Sequence, residues 1–194
     1  MKKIAFALIT SAVALGAASV QAQELKPYIG AGVVANSNKY DLANDTSGGD
    51  PKSTAYGGKI FGGVQIDKTW GVEAGYVDFG KKTYNYTTGA GTGSIEGKAK
   101  SFYLAGKGTI PIDQQFSLTG KLGVSHNTND VNATGIAAGY GGDGSRNALY
   151  ASVGAEYAFT EKVSGVLEYE HFGRNENDQG RRKGAFNLGV KASF

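Results

Sequence analysis

The C-terminal stretch Phe186-Asn187-Leu188-Gly189-Val190-Lys191-Ala192-Ser193-Phe194 alternates residue by residue between two kinds of side chain. Phe186, Leu188, Val190, Ala192 and Phe194 share one face of an extended chain, and Asn187, Gly189, Lys191 and Ser193 share the other. Successive side chains of a strand point to opposite sides, so a period of two marks a β-strand with unlike faces. The pattern recurs. Leu149, Ala151, Val153, Ala155, Tyr157 and Phe159 form one apolar row, with Gly154 and Glu156 opposite. Phe116, Leu118, Leu122 and Val124 form another, opposed by Ser117, Thr119 and Lys121. Phe102, Leu104 and Ile110 form a third, opposed by Tyr103 and Lys107. Nowhere after the N-terminal segment is there the run of about 18 apolar residues that marks a membrane helix.

Residues 1–22 follow a different rule. Lys2 and Lys3 precede an apolar stretch from Ile4 to Val20, and Val20-Gln21-Ala22 puts small residues at the spacing of a signal-peptidase site. This is the pattern of a secretory signal peptide over residues 1–22, cleaved after Ala22 to leave 23–194 as the mature domain. Losing the two leader lysines lowers the formal charge from +3 to +1. The chain has no cysteine, which excludes a disulfide framework, a thiolate metal site and a cysteine nucleophile. Two histidines leave little for a zinc site or a Ser/His relay, and there is no dense basic run for nucleic acid to use. No metal and no cofactor are expected. A secreted, cysteine-free chain with 31 glycines indicates a bacterial envelope protein.

Eight strands are expected, near 27–36, 55–66, 70–80, 99–111, 115–126, 148–159, 163–173 and 184–194. The connections alternate in length. Short turns fall at Asp67-Lys68-Thr69, Ile112-Asp113-Gln114 and Thr160-Glu161-Lys162, and long polar connections near 37–54, 81–98, 127–147 and 174–183. Antiparallel neighbours then have every short turn at one end and every long loop at the other. That is the arrangement of an eight-stranded antiparallel up-and-down β-barrel.

A soluble barrel of the lipocalin type alternates too, with its apolar side chains inside. Four features favour the inverted, transmembrane form. The strands are long enough, when tilted, to cross an apolar band of about 25 Å. Aromatics gather near strand ends: Tyr28, Trp70, Phe116, Phe159 and Phe194 towards the short turns, and Tyr56, Phe102 and Phe186 towards the loops. The polar face mixes charges with Gly, Ser and Ala, as a narrow crowded lumen requires. The chain ends on the apolar face in Phe194, a residue that resembles the assembly signal of outer-membrane barrels. Lipid satisfies no open sheet edge, so such a sheet must close.

The hairpin Phe61-Gly62-Gly63-Val64-Gln65-Ile66, a short turn, then Gly71-Val72-Glu73-Ala74-Gly75-Tyr76 resembles the OmpA-type transmembrane domain. Lys107-Gly108, Lys121-Leu122-Gly123, Glu156-Tyr157-Ala158 and Leu167-Glu168-Tyr169 extend the likeness over residues 27–194. The chain is similar to the short, barrel-only relatives, including the opacity-like small barrels. The resemblance implies a Gram-negative outer-membrane location and an interior filled by side chains. In larger relatives a lysine exchanges between glutamate partners as an arginine adjusts. Glu73 and Glu156 match those glutamates, Lys107 matches the lysine, and Lys121 matches another internal base. The position of the arginine is Val166 here. That departure points away from a switchable gate and towards a fixed plug.

By alternation, Lys59, Glu73, Lys107, Lys121, Glu156, Glu168 and Lys191 face the lumen. Arg174, Arg181, Arg182 and Lys183 cluster at the last long loop, where they fit the phosphates of lipopolysaccharide as well as they fit ordinary solvated surface. Gly89-Ala90-Gly91-Thr92-Gly93 lacks the lysine and helix of a phosphate loop and reads as a flexible loop. Ser125-His126 and Glu170-His171 are the nearest approach to a catalytic constellation, but adjacent strand residues point to opposite faces. No catalytic residue is assigned. The leading reading is a non-enzymatic barrel that holds four extracellular loops over a charge-plugged lumen. A surface adhesin acting through its loops on host or surface ligands, and a small-solute channel, are the alternatives. Expected partners are outer-membrane lipid and lipopolysaccharide, and the barrel-assembly machinery through the C-terminal strand.

Overall fold

The computed structural model describes residues 25–39, 46, 52–89, 91–136, 138–173 and 180–194. The leader expected at 1–22 lies outside them. Eight strands follow in order: β1 Lys26–Lys39, β2 Lys52–Gln65, β3 Trp70–Thr88, β4 Gly91–Pro111, β5 Phe116–Gly135, β6 Gly142–Ala158, β7 Val163–His171 and β8 Gly180–Ser193. A short 3-10 turn spans Ala138–Tyr140. Each strand pairs antiparallel with the next, and β1 pairs with β8, from Tyr28 against Ser193 to Lys39 against Gly180. The N–H of Phe194 donates to Pro27 O at 3.0 Å and carries that seam to the last residue. The sheet is closed, so no strand edge of the barrel body meets lipid.

The three short turns share one construction. In each, the first residue and the next both donate backbone N–H groups to one carbonyl across the turn: Ile66 and Asp67 to Trp70, Ile112 and Asp113 to Phe116, Phe159 and Thr160 to Val163. A side-chain oxygen then accepts two further backbone N–H groups. Asp67 Oδ1 takes those of Thr69 and Trp70, each at 2.7 Å, and Asp113 Oδ1 those of Gln115 and Phe116, each at 2.7 Å. Thr160 Oγ1 takes those of Lys162 and Val163 at 3.2 and 3.0 Å. Short polar side chains that mimic a backbone turn make a tight, self-contained reversal.

The apolar rows face outward. Leu188 is 67% exposed, and Ile60, Leu122, Leu149 and Val153 are as open. Trp70, Phe159 and Phe194 stand outward near the short turns, and Tyr56, Phe102 and Phe186 outward towards the other end. Tyr28 departs from the expected girdle. Its parity is that of Val34 and Asn36, so it points into the lumen and is buried.

Two expected long loops are largely strand. β3 and β4 stay paired from Lys81 against Lys98 up to Thr88 against Gly91. β4 and β5 stay paired up to Gly93 against Gly135. Residues 81–88, 91–98, 127–135 and 142–147 therefore extend the sheet beyond the barrel as a wall built from β3 to β6. Gly91 to Gly93 belong to β4 rather than to a flexible loop. The polar character that suggested loops belongs to a sheet with water on its outer face. A register shift at Phe79 and Gly80 begins this extension. Gly80 has φ of 76°, a conformation that favours glycine.

Candidate functional site in the barrel lumen

The inward positions of seven strands bring charge together in layers. Nearest the short turns, Glu156 of β6 receives two ammonium groups. Lys107 Nζ of β4 lies 2.5 Å from Glu156 Oε1, and Lys191 Nζ of β8 pairs with Oε2. The ring of Tyr28 lies under both cations, with its centroid 4.9 Å from Lys107 Nζ and 5.2 Å from Lys191 Nζ. Cations over an aromatic face are stabilised by the ring quadrupole, the more so where water is scarce.

The next layer crosses the barrel. Lys121 Nζ bridges Glu73 Oε1 at 2.6 Å and Glu168 Oε1. Lys59 Nζ bridges Glu168 Oε2 at 2.8 Å and Glu170 Oε1 at 2.7 Å. Phenols complete the carboxylates. Tyr103 donates to Glu73 Oε1 at 2.5 Å, Tyr28 to Glu73 Oε2 at 3.1 Å, and Tyr150 to Glu170 Oε1 at 2.5 Å. Asn187 Nδ2 donates to Glu168 Oε2 at 3.3 Å. The ring of Phe61 lies 4.8 Å from Lys59 Nζ and 5.6 Å from Lys121 Nζ.

All seven residues expected in the lumen point inward and join this network, with Lys107 fully buried and Lys191 the most open. Sequence reasoning missed one member, Glu170. The seven carry four lysines against three glutamates. Glu170 makes the layers four against four, so the enclosed charge cancels. An ion in a poorly hydrated interior is tolerable only when paired, and this balance meets that demand without bulk water. Val166, where the resemblance places a mobile arginine, is buried against Tyr28 and Phe61.

A further layer was not foreseen. Above the charges, on the side away from the short turns, Val34, Val77, Phe79, Ala99, Tyr103, Tyr150, Phe172 and Ala185 form a dry apolar cluster inside the lumen. Tyr103 and Tyr150 stack with centroids 4.3 Å apart, and Phe79 meets Phe172 edge to face at 5.1 Å. Asn36 Nδ2 donates to Phe79 O at 3.0 Å, and Asn127 Nδ2 donates to Phe172 O at 2.8 Å. Each phenylalanine precedes a glycine with positive φ, Gly80 at 76° and Gly173 at 72°. The signal lay in a short internal repeat, Tyr76-Val77-Asp78-Phe79-Gly80-Lys81 against Tyr169-Glu170-His171-Phe172-Gly173-Arg174. The first copy lies on β3, and the second runs from the last residues of β7, Tyr169 to His171, into Phe172 and Gly173, four strands away.

The other singled-out residues do not converge. Ser125 points inward and donates to Phe172 O at 3.2 Å, whereas His126 is exposed with Nδ1 at 2.8 Å from Asn147 Oδ1. Glu170 is taken up by Lys59 and Tyr150. Among the described residues, no three of His, Cys, Asp and Glu come together to hold a metal ion. Arg174 lies outside the described residues. Of Arg181, Arg182 and Lys183 only the backbone, in β8, is described.

A closed eight-stranded barrel with an apolar belt outside, ion pairs within and short turns gathered at one end is an integral outer-membrane β-barrel, and this is a protein of the Gram-negative outer membrane. Residues 6–194 match the outer membrane protein beta-barrel domain, and the chain belongs to that family. Among solved structures it resembles OprG of Pseudomonas aeruginosa at 15% identity and a TM-score of 0.62, over 87% of this chain and 95% of that one. It resembles Ail of Yersinia pestis at 18% identity and a TM-score of 0.56, over 87% and 98%. It resembles the N-terminal β-barrel domain of Pseudomonas aeruginosa OprF at 15% identity and a TM-score of 0.53, over 90% and 100%. These likenesses are of fold. No curated protein sequence matches the chain.

Proposed function

We propose that this protein is a non-enzymatic scaffold of the outer membrane, closed to ions, that carries the β3–β6 wall and the neighbouring connections on its outer side. The observation that carries this reading is the cancelling set of four lysines and four glutamates inside the lumen. Eight strands leave an interior that side chains fill. An ion crossing it must displace charges already paired at contact distance. Planar-bilayer recording on the refolded chain tests this directly. The expected result is no ion steps above the bare membrane, and steady conductance would instead favour the small-solute channel.

The partners in this reading are the surrounding lipid and lipopolysaccharide, and the assembly machinery, which engages the C-terminal strand ending at Phe194. Arg174, Arg181, Arg182 and Lys183 are assigned to lipopolysaccharide phosphates. Salt-sensitive binding that disappears when all four become Ser supports the assignment, and unchanged binding removes it. The leader over 1–22 predicts a mature chain beginning at Gln23, which N-terminal sequencing reads.

One observation favours a second reading, a surface adhesin. Residues 83–95 and 131–142 contain no acidic or basic side chain. The fold pairs these two segments at the crest of the wall, with Ile95 against Ala133 and Ser94 Oγ 3.0 Å from Thr134 Oγ1. Tyr, Ser, Gly, Asn and Thr dominate them, a composition suited to adaptable recognition. Loss of host-cell binding when the crest is shortened supports the adhesin, and retention dismisses it.

A further inference from the structure

We propose that the lumen binds a small inorganic anion of chloride size at its short-turn end, held by the ammonium groups of Lys107 and Lys191 with the side chains of Thr109, Thr119 and Gln65. The interior charge cancels only as a sum over two unequal layers. Farther from the short turns, Lys59 and Lys121 meet three carboxylates, those of Glu73, Glu168 and Glu170. The surplus negative charge there is met by neutral donors, the phenols of Tyr28, Tyr103 and Tyr150 and the amide of Asn187. Nearest the short turns the imbalance is reversed. Lys107 and Lys191 share the single carboxylate of Glu156, and two lysines against one glutamate leave +1. Each ammonium carries three N–H donors. Beyond Glu156, what they meet among the described residues is the ring of Tyr28. The layer has donors and positive charge to spare, and an acceptor with negative charge completes it.

The side chains around these cations are donors as well. Gln65, Gly71, Lys107 and Lys121 lie opposite one another in turn on β2 to β5. Gln65 leans across Gly71 towards Lys107, since a Cβ on Gly71 would come within 3.2 Å of Gln65 Oε1. Thr109 and Thr119, opposite each other on β4 and β5, are the next inward pair towards the short turns. Among the described residues, Thr109 Oγ1, Thr119 Oγ1 and Gln65 Nε2 are buried and meet no hydrogen-bond partner, and Thr119 as a whole is 4% exposed. Buried polar groups are paired in stable folds. A hydroxyl and an amide N–H can both donate to an anion, which brings no donor of its own to compete, as water would. This layer is also the accessible one. Glu156 and Lys191 keep 10% and 12% of their side-chain surface open, against 1% or less for Glu73, Glu168, Lys59 and Lys121. An interior filled by side chains admits a halide and turns away a bulky anion such as gluconate. The anion enters from the short-turn side and stops at the second layer.

The test is urea unfolding of the refolded full chain in sodium chloride and in sodium gluconate at equal ionic strength. A ligand that binds only the folded state stabilises it in proportion to the logarithm of its concentration once the site fills, so each tenfold rise in chloride then multiplies the folding constant about tenfold. The wild-type midpoint is expected to rise along the chloride series above its value in gluconate. T109V/T119V keeps the shape and removes both hydroxyls, and most of that rise is expected to be lost. Comparing the two proteins cancels what each salt does to any chain. Equal chloride dependence in both overturns the proposal, as does its absence from wild type. If T109V/T119V fails to give the heat-modifiable band of a folded barrel, anomalous diffraction from wild-type crystals in bromide decides instead. A bromide peak in contact with Lys107 or Lys191 Nζ and with Thr119 supports the site, and bromide found only on the outer surface, or nowhere, overturns it. The site is a dead end and does not depend on the closed-lumen reading: wild-type conductance would dispose of that reading and leave the chloride shift standing.

Discussion

Lys107 and Lys121 stand directly opposite each other on β4 and β5, yet their ammonium groups go to different carboxylates. Lys107 turns towards the short-turn end to meet Glu156, and Lys121 turns the other way to bridge Glu73 and Glu168. Like charges directly opposite in a sheet repel. The divergence lessens that repulsion and gives the lumen its layers. Truncating Lys107 leaves Glu156 with Lys191 alone in a partly dry site. Breaking a buried pair from one side typically costs about 3–5 kcal/mol, whereas removing both charges together costs far less. K107A is therefore expected to lower the unfolding midpoint sharply in a urea titration, and K107M/E156Q/K191M, which removes the whole layer including the second ammonium on Glu156, to recover much of the loss. A K107A barrel as stable as wild type would show that the pair is not coupled.

Glu170 is the member that balances the interior. Its carboxylate holds Lys59 at 2.7 Å and accepts the Tyr150 phenol at 2.5 Å. E170Q keeps the shape and removes the charge, so Lys59 retains Glu168 at 2.8 Å and the longer pair with Glu73 at 4.0 Å. Hydrogen bonds to charged groups contribute about 1.5–3 kcal/mol each. The expected loss is of that size, measured by the same titration. K59M and E170Q combined should cost less than the sum of the two single changes, since both remove the Lys59–Glu170 pair, although K59M also takes the ammonium from Glu168.

Much of this site was legible because a barrel strand has a rigid parity. Once Leu188 and Val190 are outward, Asn187 and Lys191 have to be inward, and the same step places Lys59, Glu73, Lys107, Lys121, Glu156 and Glu168. Glu170 obeys that parity, two residues beyond Glu168. It was missed because its neighbour His171 drew it into a catalytic comparison. Tyr28 was misplaced for a different reason. Nearness to a strand end suggests an interfacial ring, but parity decides, and here an aromatic serves as a floor for two cations. The extension of β3 to β6 was hidden by composition. Thr, Asn, Ser and Gly read as loop, yet cross-strand pairing with water on the outer face needs no apolar row. The Phe79–Phe172 layer depends on contact across the lumen, which no local pattern reports.

Asp113 ties its turn through two backbone N–H groups, those of Gln115 and Phe116. These donors hold its carboxyl below the usual carboxylate range. The sign follows from linkage. A carboxyl with a lowered folded-state pKa stabilises the fold above its unfolded value, near 3.9, and the contribution is lost as pH falls through the folded value. Wild type and D113A are therefore expected to differ in thermal midpoint at neutral pH, and the gap should close as the solution is acidified below about 3.9. A gap that stays constant down to the lowest workable pH would mean that the side chain acts without its charge.

Two glycines, Gly58 and Gly80, separate conformational need from mere abundance. Gly80 has φ of 76°, and a Cβ there would strike the carbonyl oxygen of Tyr56. The position turns β3 from the barrel body into the wall and aims Phe79 inward. An alanine is strained by the backbone and obstructed by β2 at once. Gly58 on β2 faces outward, and a Cβ there would meet nothing within 4 Å. Alanine at a compatible position reduces the freedom of the unfolded chain and stabilises by about 0.4–1 kcal/mol, whereas at a left-handed position it costs more than that gain. G80A is thus expected to shift the heat-induced band change to lower temperature, and G58A to leave it unchanged or raise it. If G80A melted with wild type, the register shift at Phe79 and Gly80 would not be what directs β3 into the wall. The inward aim of Phe79 would then have to come from Asn36, whose amide already holds the Phe79 carbonyl at 3.0 Å.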